Sequence, residues 1–383
     1  MLKKIFRKRH GVILLAMLFL VLGALLVDDY LVCSGVGEYV PPEKEQKEIT
    51  EPSELLNEEG ELIQRGWARQ LILRYDREKV KGRVKEWDYY CILHPDYGLA
   101  VTVADFGYAG MVSIKWLDFK ERTFYKGGEM PLFTCGAMNL PRTSEEGDIH
   151  YSGEKVTLSI ERREGKLVRR NIALSFPGFR DGRGITARIT LYQDPKDDTI
   201  VVAHPWSHKK TLFTLSQKIN CMPAEGTVQI GEETFPFNRK SCFGVLDWGR
   251  TVRPYSAKWY WASASGKVDG VPIGWNLGGQ PDLPVFTQNV IFYNGKAHKF
   301  DRVTYEIDRS NYLKPWKIYS NDGRFRMIFE PILDRSANMN YLIIKSIQHQ
   351  CFGYYSGYVV LDDGRRIDIE RMLGLAEEVY NRW

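Results

Sequence analysis

The sequence predicts an all-β protein of two tandem barrel-like units behind one N-terminal transmembrane helix. Three observations carry this. Short apolar and β-branched runs alternate with turn residues roughly every ten positions, which is the pattern of a sandwich or barrel. A faint internal repeat links the two halves of the body. An unbroken apolar run extends from Gly11 to Val27.

The apolar run spans about 25 Å as a helix, enough for the hydrocarbon core of a bilayer. Lys3, Lys4, Arg7, Lys8 and Arg9 precede it, and Asp28 and Asp29 follow. That asymmetry predicts a cytoplasmic segment 1–10, a membrane span 11–27 and an exported body. The run exceeds the roughly 7–15 residues of a signal-peptide core, so an anchor is favoured over secretion after cleavage near Val32-Cys33-Ser34. The five N-terminal cations account for the whole net charge of +5. The remaining body is nearly neutral and lacks a Lys/Arg stripe, which argues against nucleic acid as a partner.

Within residues 28–60, from Gly37 to about Glu61, the composition shifts to Pro, Glu, Lys and Gln, as in Pro41-Pro42-Glu43-Lys44-Glu45. So charged a stretch cannot bury enough apolar surface to order itself and reads as a stalk, with the folded body beginning near Gly66-Trp67. The whole chain, 383 residues with 44% hydrophobic and 13% aromatic content, suits two sub-domains beyond the stalk, expected at 61–215 and 216–383.

The clearest strand is 185–191, where Ile185, Ala187, Ile189 and Leu191 alternate with Thr186, Arg188 and Thr190. Asn294-Gly295 and Asp363-Gly364 mark hairpins, and Asp322-Gly323 and Glu164-Gly165 mark two more. Outside the anchor, helical patterning is confined to a short stretch from Leu375 to Tyr380. The repeat aligns Trp87-Asp88-Tyr89 with Trp259-Tyr260-Trp261, and Val103-Ala104-Asp105-Phe106-Gly107 with Trp275-Asn276-Leu277-Gly278.

These motifs, with Gly66-Trp67-Ala68-Arg69-Gln70, Ala104-Asp105-Phe106-Gly107-Tyr108, Leu246-Asp247-Trp248-Gly249-Arg250, Lys314-Pro315-Trp316, Phe329-Glu330-Pro331 and Asn381-Arg382-Trp383, carry a resemblance. The body resembles the uncharacterised bacterial family named domain of unknown function 2804. That family looks similar, more distantly, to tandem lipocalin-like (calycin) proteins that include carotenoid hydratases. The resemblance implies two calycin-like units and an apolar ligand or substrate, by fold analogy alone.

The densest chemical constellation is Asp247-Trp248-Gly249-Arg250 followed by Tyr255, Trp259, Tyr260 and Trp261. On a strand, Asp247 and Gly249 face opposite to Trp248 and Arg250, and Trp259 shares a face with Trp261. A carboxylate against aromatic rings suits a general acid, because desolvation raises its pKa. The competing reading pairs Asp247 with Arg250 or another cation, with Trp248 and Arg250 stacked to close a barrel end. Asp105 and Asn276 hold matching places in the repeat and are expected to face inward, as site residues or as buried hydrogen-bond anchors. Glu330 and Lys218 are weaker candidates. The catalytic candidates are therefore Asp247, Asp105 and Glu330, and the ligand-binding candidates are Trp248, Arg250, Trp259, Trp261, Asn276 and Tyr108.

No cofactor or metal is expected. Cys91, Cys135, Cys221, Cys242 and Cys351 are scattered singly and read as buried small hydrophobes. Pro205 and Trp206 disfavour the helix that would bring His204 and His208 to one ion. No Gly-x-Ser-x-Gly elbow, phosphate loop or dinucleotide fingerprint occurs. Ten Trp and 21 Tyr exceed what a small core needs, and point to a small apolar or amphipathic molecule held within or between the units. Acid–base hydration, isomerisation or cyclisation of such a molecule is the alternative. Carbohydrate binding or cleavage is a third class.

Overall fold

The computed structural model describes residues 41–281, 285–341 and 345–382, with isolated positions between 16 and 27. Most of the expected membrane segment 11–27 lies outside the described residues. Among the described residues no helix is long and apolar enough to cross a membrane.

The body is all-β and forms two curled sheets. In the first sheet the strand order is Thr123–Glu129, Gly110–Asp118, Tyr97–Asp105, Lys85–Leu93, Phe243–Val252, Phe213–Ile230, Ile185–Gln193, Val168–Phe176, Thr157–Arg163, Ile149–Ser152. In the second it is Lys296–Lys299, Val290–Tyr293, Val271–Gly279, Ser256–Val268, Arg366–Arg382, Lys345–Val360, Phe325–Asn340, Trp316–Ser320, Val303–Glu306. Lys85–Leu93 and Ser256–Val268 hold corresponding places, since each opens a four-strand meander and pairs with the last strand of its own sheet. Trp87-Asp88-Tyr89 and Trp259-Tyr260-Trp261 therefore sit on equivalent strands.

Local chemistry sets the strands and turns. Ile185, Ala187, Ile189 and Leu191 are buried while Thr186, Arg188 and Thr190 are not, as alternation requires. Asn294 and Gly295, both at positive φ, turn the hairpin between Val290–Tyr293 and Lys296–Lys299, the geometry that two-residue hairpin loops favour.

Each sheet curls back on itself. In the first, the Glu129 carboxylate accepts from Tyr151 Oη at 2.7 Å and from the Val156 amide at 2.6 Å on the opposite edge. In the second, Arg324 Nη1 donates to the Lys299 carbonyl at 2.8 Å and Phe300 stacks on Phe325. Side chains fill both interiors: Tyr90, Val101, Trp116, Leu191 and Trp248 in the first, Trp275, Trp316, Phe325, Phe329 and Tyr355 in the second. Each such burial contributes roughly 1.5–3 kcal/mol.

Four expectations are corrected. The stretch expected as a stalk packs on the first sheet from its middle onward: Ile49, Leu55 and Leu56 are buried, Ser53–Glu54 pairs with Leu73–Arg74, and Arg65 reaches back to Glu43. Sparse apolar residues suffice there because all of them face the core. The expected division after residue 215 falls inside the Phe213–Ile230 strand, which belongs wholly to the first sheet; the chain changes sheet at 253–255. The expected helix at 375–380 is strand, because pairing on both sides with Ser256–Val268 and Lys345–Val360 overrides local propensity. Cys135 is exposed, on a loop at positive φ, whereas Cys91, Cys242 and Cys351 are buried and Cys221 is half-buried.

Candidate functional site

The convex faces of the two sheets meet in a seam packed with buried apolar side chains: Tyr89, Cys91, Leu117, Phe119 and Val245 from the first sheet against Leu333, Phe352 and Leu375 from the second. A polar row crosses it on each side. In the first sheet, register places Lys218, Asp247, Tyr89 and Thr102 side by side on adjacent strands. In the second, it places Trp261, Glu377, Gln350 and Arg335 likewise. Directly paired residues share a face, so each row is a line of neighbouring side chains.

Asp247 is ion-paired with Lys218 and accepts from Trp87 Nε1 at 3.0 Å. The Trp87 ring can lie there because its cross-strand partner is Gly249: a Cβ at 249 would stand 2.1 Å from Trp87 Cζ2. Lys218 Nζ also stands 5.5 Å from the centre of the Trp261 ring, a cation–π contact between the two sheets. Across the seam, Glu377 accepts from Trp259 Nε1 at 3.0 Å and Gln350 Nε2 at 2.8 Å. Gln350 Oε1 in turn accepts from Arg335 Nε at 2.9 Å and from Tyr89 Oη at 3.3 Å, joining the sheets. Trp261 Nε1 donates to Asn276 Oδ1 at 2.7 Å and meets the Tyr89 ring edge to face.

Burial pushes the Glu377 carboxyl up from its ordinary value and the nearby Asp247 charge adds to this, against the opposing effects of Trp259, Arg335 and Gln350. Burial likewise pushes the Cys91 thiol up to about 12. Asp247, Trp87 and Trp259 remain half-buried, so the row has an accessible end. Two open clefts, of ≈ 820 and ≈ 640 Å³, lie elsewhere, along the outer strands of the first sheet.

The structure thus brings together Asp247, Lys218, Trp259, Trp261 and Asn276. It separates the other candidates from them. Trp248 and Arg250 point into the first barrel, the guanidinium 4.3 Å from the ring centre, with Arg250 donating to Asp88 Oδ1 at 3.1 Å and to the Pro141 carbonyl at 2.7 Å. Arg250 therefore pairs with Asp88 rather than Asp247. The Asp105 carboxylate is occupied by Thr134 Oγ1 and the amides of Gly107 and Gly136, all within 2.9 Å, and ties down the loop after its strand. Tyr108 lies under Arg83 beside that loop. Glu330 is exposed on a residue that alternation directs to solvent, ahead of a bulge between Pro331 and Leu333. His204 is buried with Nδ1 against the Pro205 carbonyl, and burial lowers its pKa to about 4. Among the described residues no three His, Cys, Asp or Glu side chains gather where they could hold a metal.

Glu377, Gln350, Arg335, Trp87 and Tyr89 are site residues that the sequence did not single out. Only Trp87 and Tyr89 carried a signal, through the repeat.

The family described as domain of unknown function (DUF2804) matches residues 46–383. The chain belongs to this family. The matched span begins within the segment that packs on the first sheet ahead of Gly66 and covers the whole seam. No curated protein matches this DUF2804 chain. Among solved structures, kievitone hydratase from Nectria haematococca is similar at 10% identity and a TM-score of 0.47, over 78% of this chain and 88% of that one. A protein of Nitrosomonas europaea described as an ATTH is similar at 11% identity and a TM-score of 0.41, over 79% and 93%.

Proposed function

We propose that the DUF2804 body binds a small amphipathic molecule in the seam between its two sheets. One observation supports this above the others: both barrel interiors are filled, while the seam joins an ion pair, a buried carboxyl and three indoles in an otherwise apolar interface. Polar groups placed this way fix the orientation of a ligand whose remaining surface is apolar. Native mass spectrometry of the purified whole chain tests it. A co-purifying organic molecule that is lost from Asp247→Asn is the expected result; a chain that carries none and binds none from a lipid extract would overturn the reading.

A second reading, acid–base chemistry on the bound molecule, is favoured by one feature. Glu377 keeps its proton to higher pH than an ordinary carboxyl while Asp247 is held as half of an ion pair. Two carboxyls in such different environments can serve as proton donor and acceptor. We propose further that segment 11–27 anchors the chain with the body outside the cytoplasm, which the flanking charges support.

A further inference from the structure

The cations of the seam outnumber its carboxylates, and the surplus is localised. Lys218 and Asp247 satisfy one another. Glu377 is bonded by Trp259 and Gln350, neither of them charged. Two cations are left. Arg335, 7% exposed, spends only Nε, on Gln350, and its two terminal nitrogens have no hydrogen-bond or ion-pair partner among the described residues. Lys115, on the Gly110–Asp118 strand of the opposite sheet, likewise has no bonded partner among the described residues. Its side chain shares the seam face with Leu117, two residues on.

The two charges feel one another. The Lys115 ammonium is held well below its ordinary pKa by burial first and by the Arg335 charge next, with Glu377 opposing. Lys115 is half-buried and Arg335 buried, each on the seam face of its own strand, and a cation held partly out of water without a bonded carboxylate is costly unless something neutralises it. The open fork of a guanidinium matches the paired oxygens of a carboxylate or phosphate, and a lysine ammonium adds a point charge. The neighbouring side chains Leu117, Phe119, Leu333 and Phe352 are apolar and packed together, so they offer these cations no counter-charge.

Resting on the seam as the binding site, we infer that its ligand is an amphipathic oxyanion, a carboxylate or phosphate ester, whose head group sits between Lys115 and Arg335. Octanoate, octyl phosphate and octanol share a tail and differ in the head, so titrating each into the whole chain isolates the head group. The indoles of Trp87, Trp259 and Trp261 report binding by fluorescence. One or both anions binding at least about tenfold more tightly than octanol is expected, the size of a charge-assisted hydrogen bond. The anion that shows the preference identifies the head. Lys115→Met and Arg335→Gln should each reduce that preference, and the wild-type comparison stands even if a variant fails to fold. Octanol binding as tightly as both anions would overturn the inference and leave the seam as a binding site. Binding of none of the three would overturn both.

Discussion

The indole of Trp87 lies over Gly249, its cross-strand partner, and from there donates to Asp247 at 3.0 Å. The absence of one side chain thus sets the position of a carboxylate two residues away. Gly249→Ala places a methyl where Trp87 stands, so the ring must move and release Asp247. A loss of roughly 1–3 kcal/mol, typical of overpacking, is expected together with an altered tryptophan spectrum. Unchanged denaturation and near-ultraviolet dichroism would mean that the ring is not held by this contact.

Asp247→Asn leaves Lys218, whose side chain is 6% exposed, without its counter-charge. Breaking a buried pair on one side costs roughly 3–5 kcal/mol, a large share of a domain's stability. The double substitution Asp247→Asn with Lys218→Met should recover much of that loss. Thermal melting of Asp247→Asn, Lys218→Met and the double variant checks it, and additive losses in the double variant would refute the pairing.

Glu377 makes stability depend on pH in a definite sense. Its folded pKa is raised above the ordinary 4.5, so the native state binds the proton more tightly than the unfolded chain. The resulting stabilisation is complete below 4.5 and is lost as pH rises through the raised folded value. Glu377→Gln removes this component, so stability of the variant should fall less than that of wild type between about pH 4 and pH 7. Parallel urea-denaturation profiles over that range would refute it.

The segment before Gly66 contributes stability directly. Leu55→Ala and Leu56→Ala, at fully buried positions, should each cost roughly 2–5 kcal/mol. A chain started at Gly66 should melt markedly lower than one started at Pro41, and equal melting temperatures would restore the stalk reading.

The expected topology is checked by an alkaline phosphatase fusion after Gly37, which should be active in a bacterial host. An inactive fusion alongside an active cytoplasmic reporter would place the body inside.

Strands that alternate cleanly were legible because burial of one face writes a period of two into residues such as Ile185 to Leu191. The turns were legible because Asn294-Gly295 needs positive φ at both positions. Half of the site was legible in the same way: Asp247, Trp259 and Trp261 stand out as a polar group among rings. The other half was hidden by its neighbours. Glu377 and Glu378 sit in a run of Leu, Ala and Val that favours helix locally, and only pairing on both sides makes them alternate, Glu377 into the seam and Glu378 onto Arg309 and Lys258. Arg335 was obscured by the bulge at Pro331, which re-aims the strand after Glu330. Asp105 looked like a site residue because a buried carboxylate and a loop anchor share one signature in sequence.

The last strand, Arg366–Arg382, lies in the middle of the second sheet and pairs with the first strand of that sheet, Ser256 opposite Arg382. Synthesis therefore leaves Ser256–Val268 without this neighbour until the C-terminus has emerged. Over that interval two long hydrogen-bonding edges stand open, each a template for another chain. The first sheet closes on strands already made and can fold earlier, whereas the second waits on pairing of high sequence separation, a slow step. A shortened C-terminus would not trim an edge: it would divide the sheet at its centre and expose both sides of the cut to aggregation.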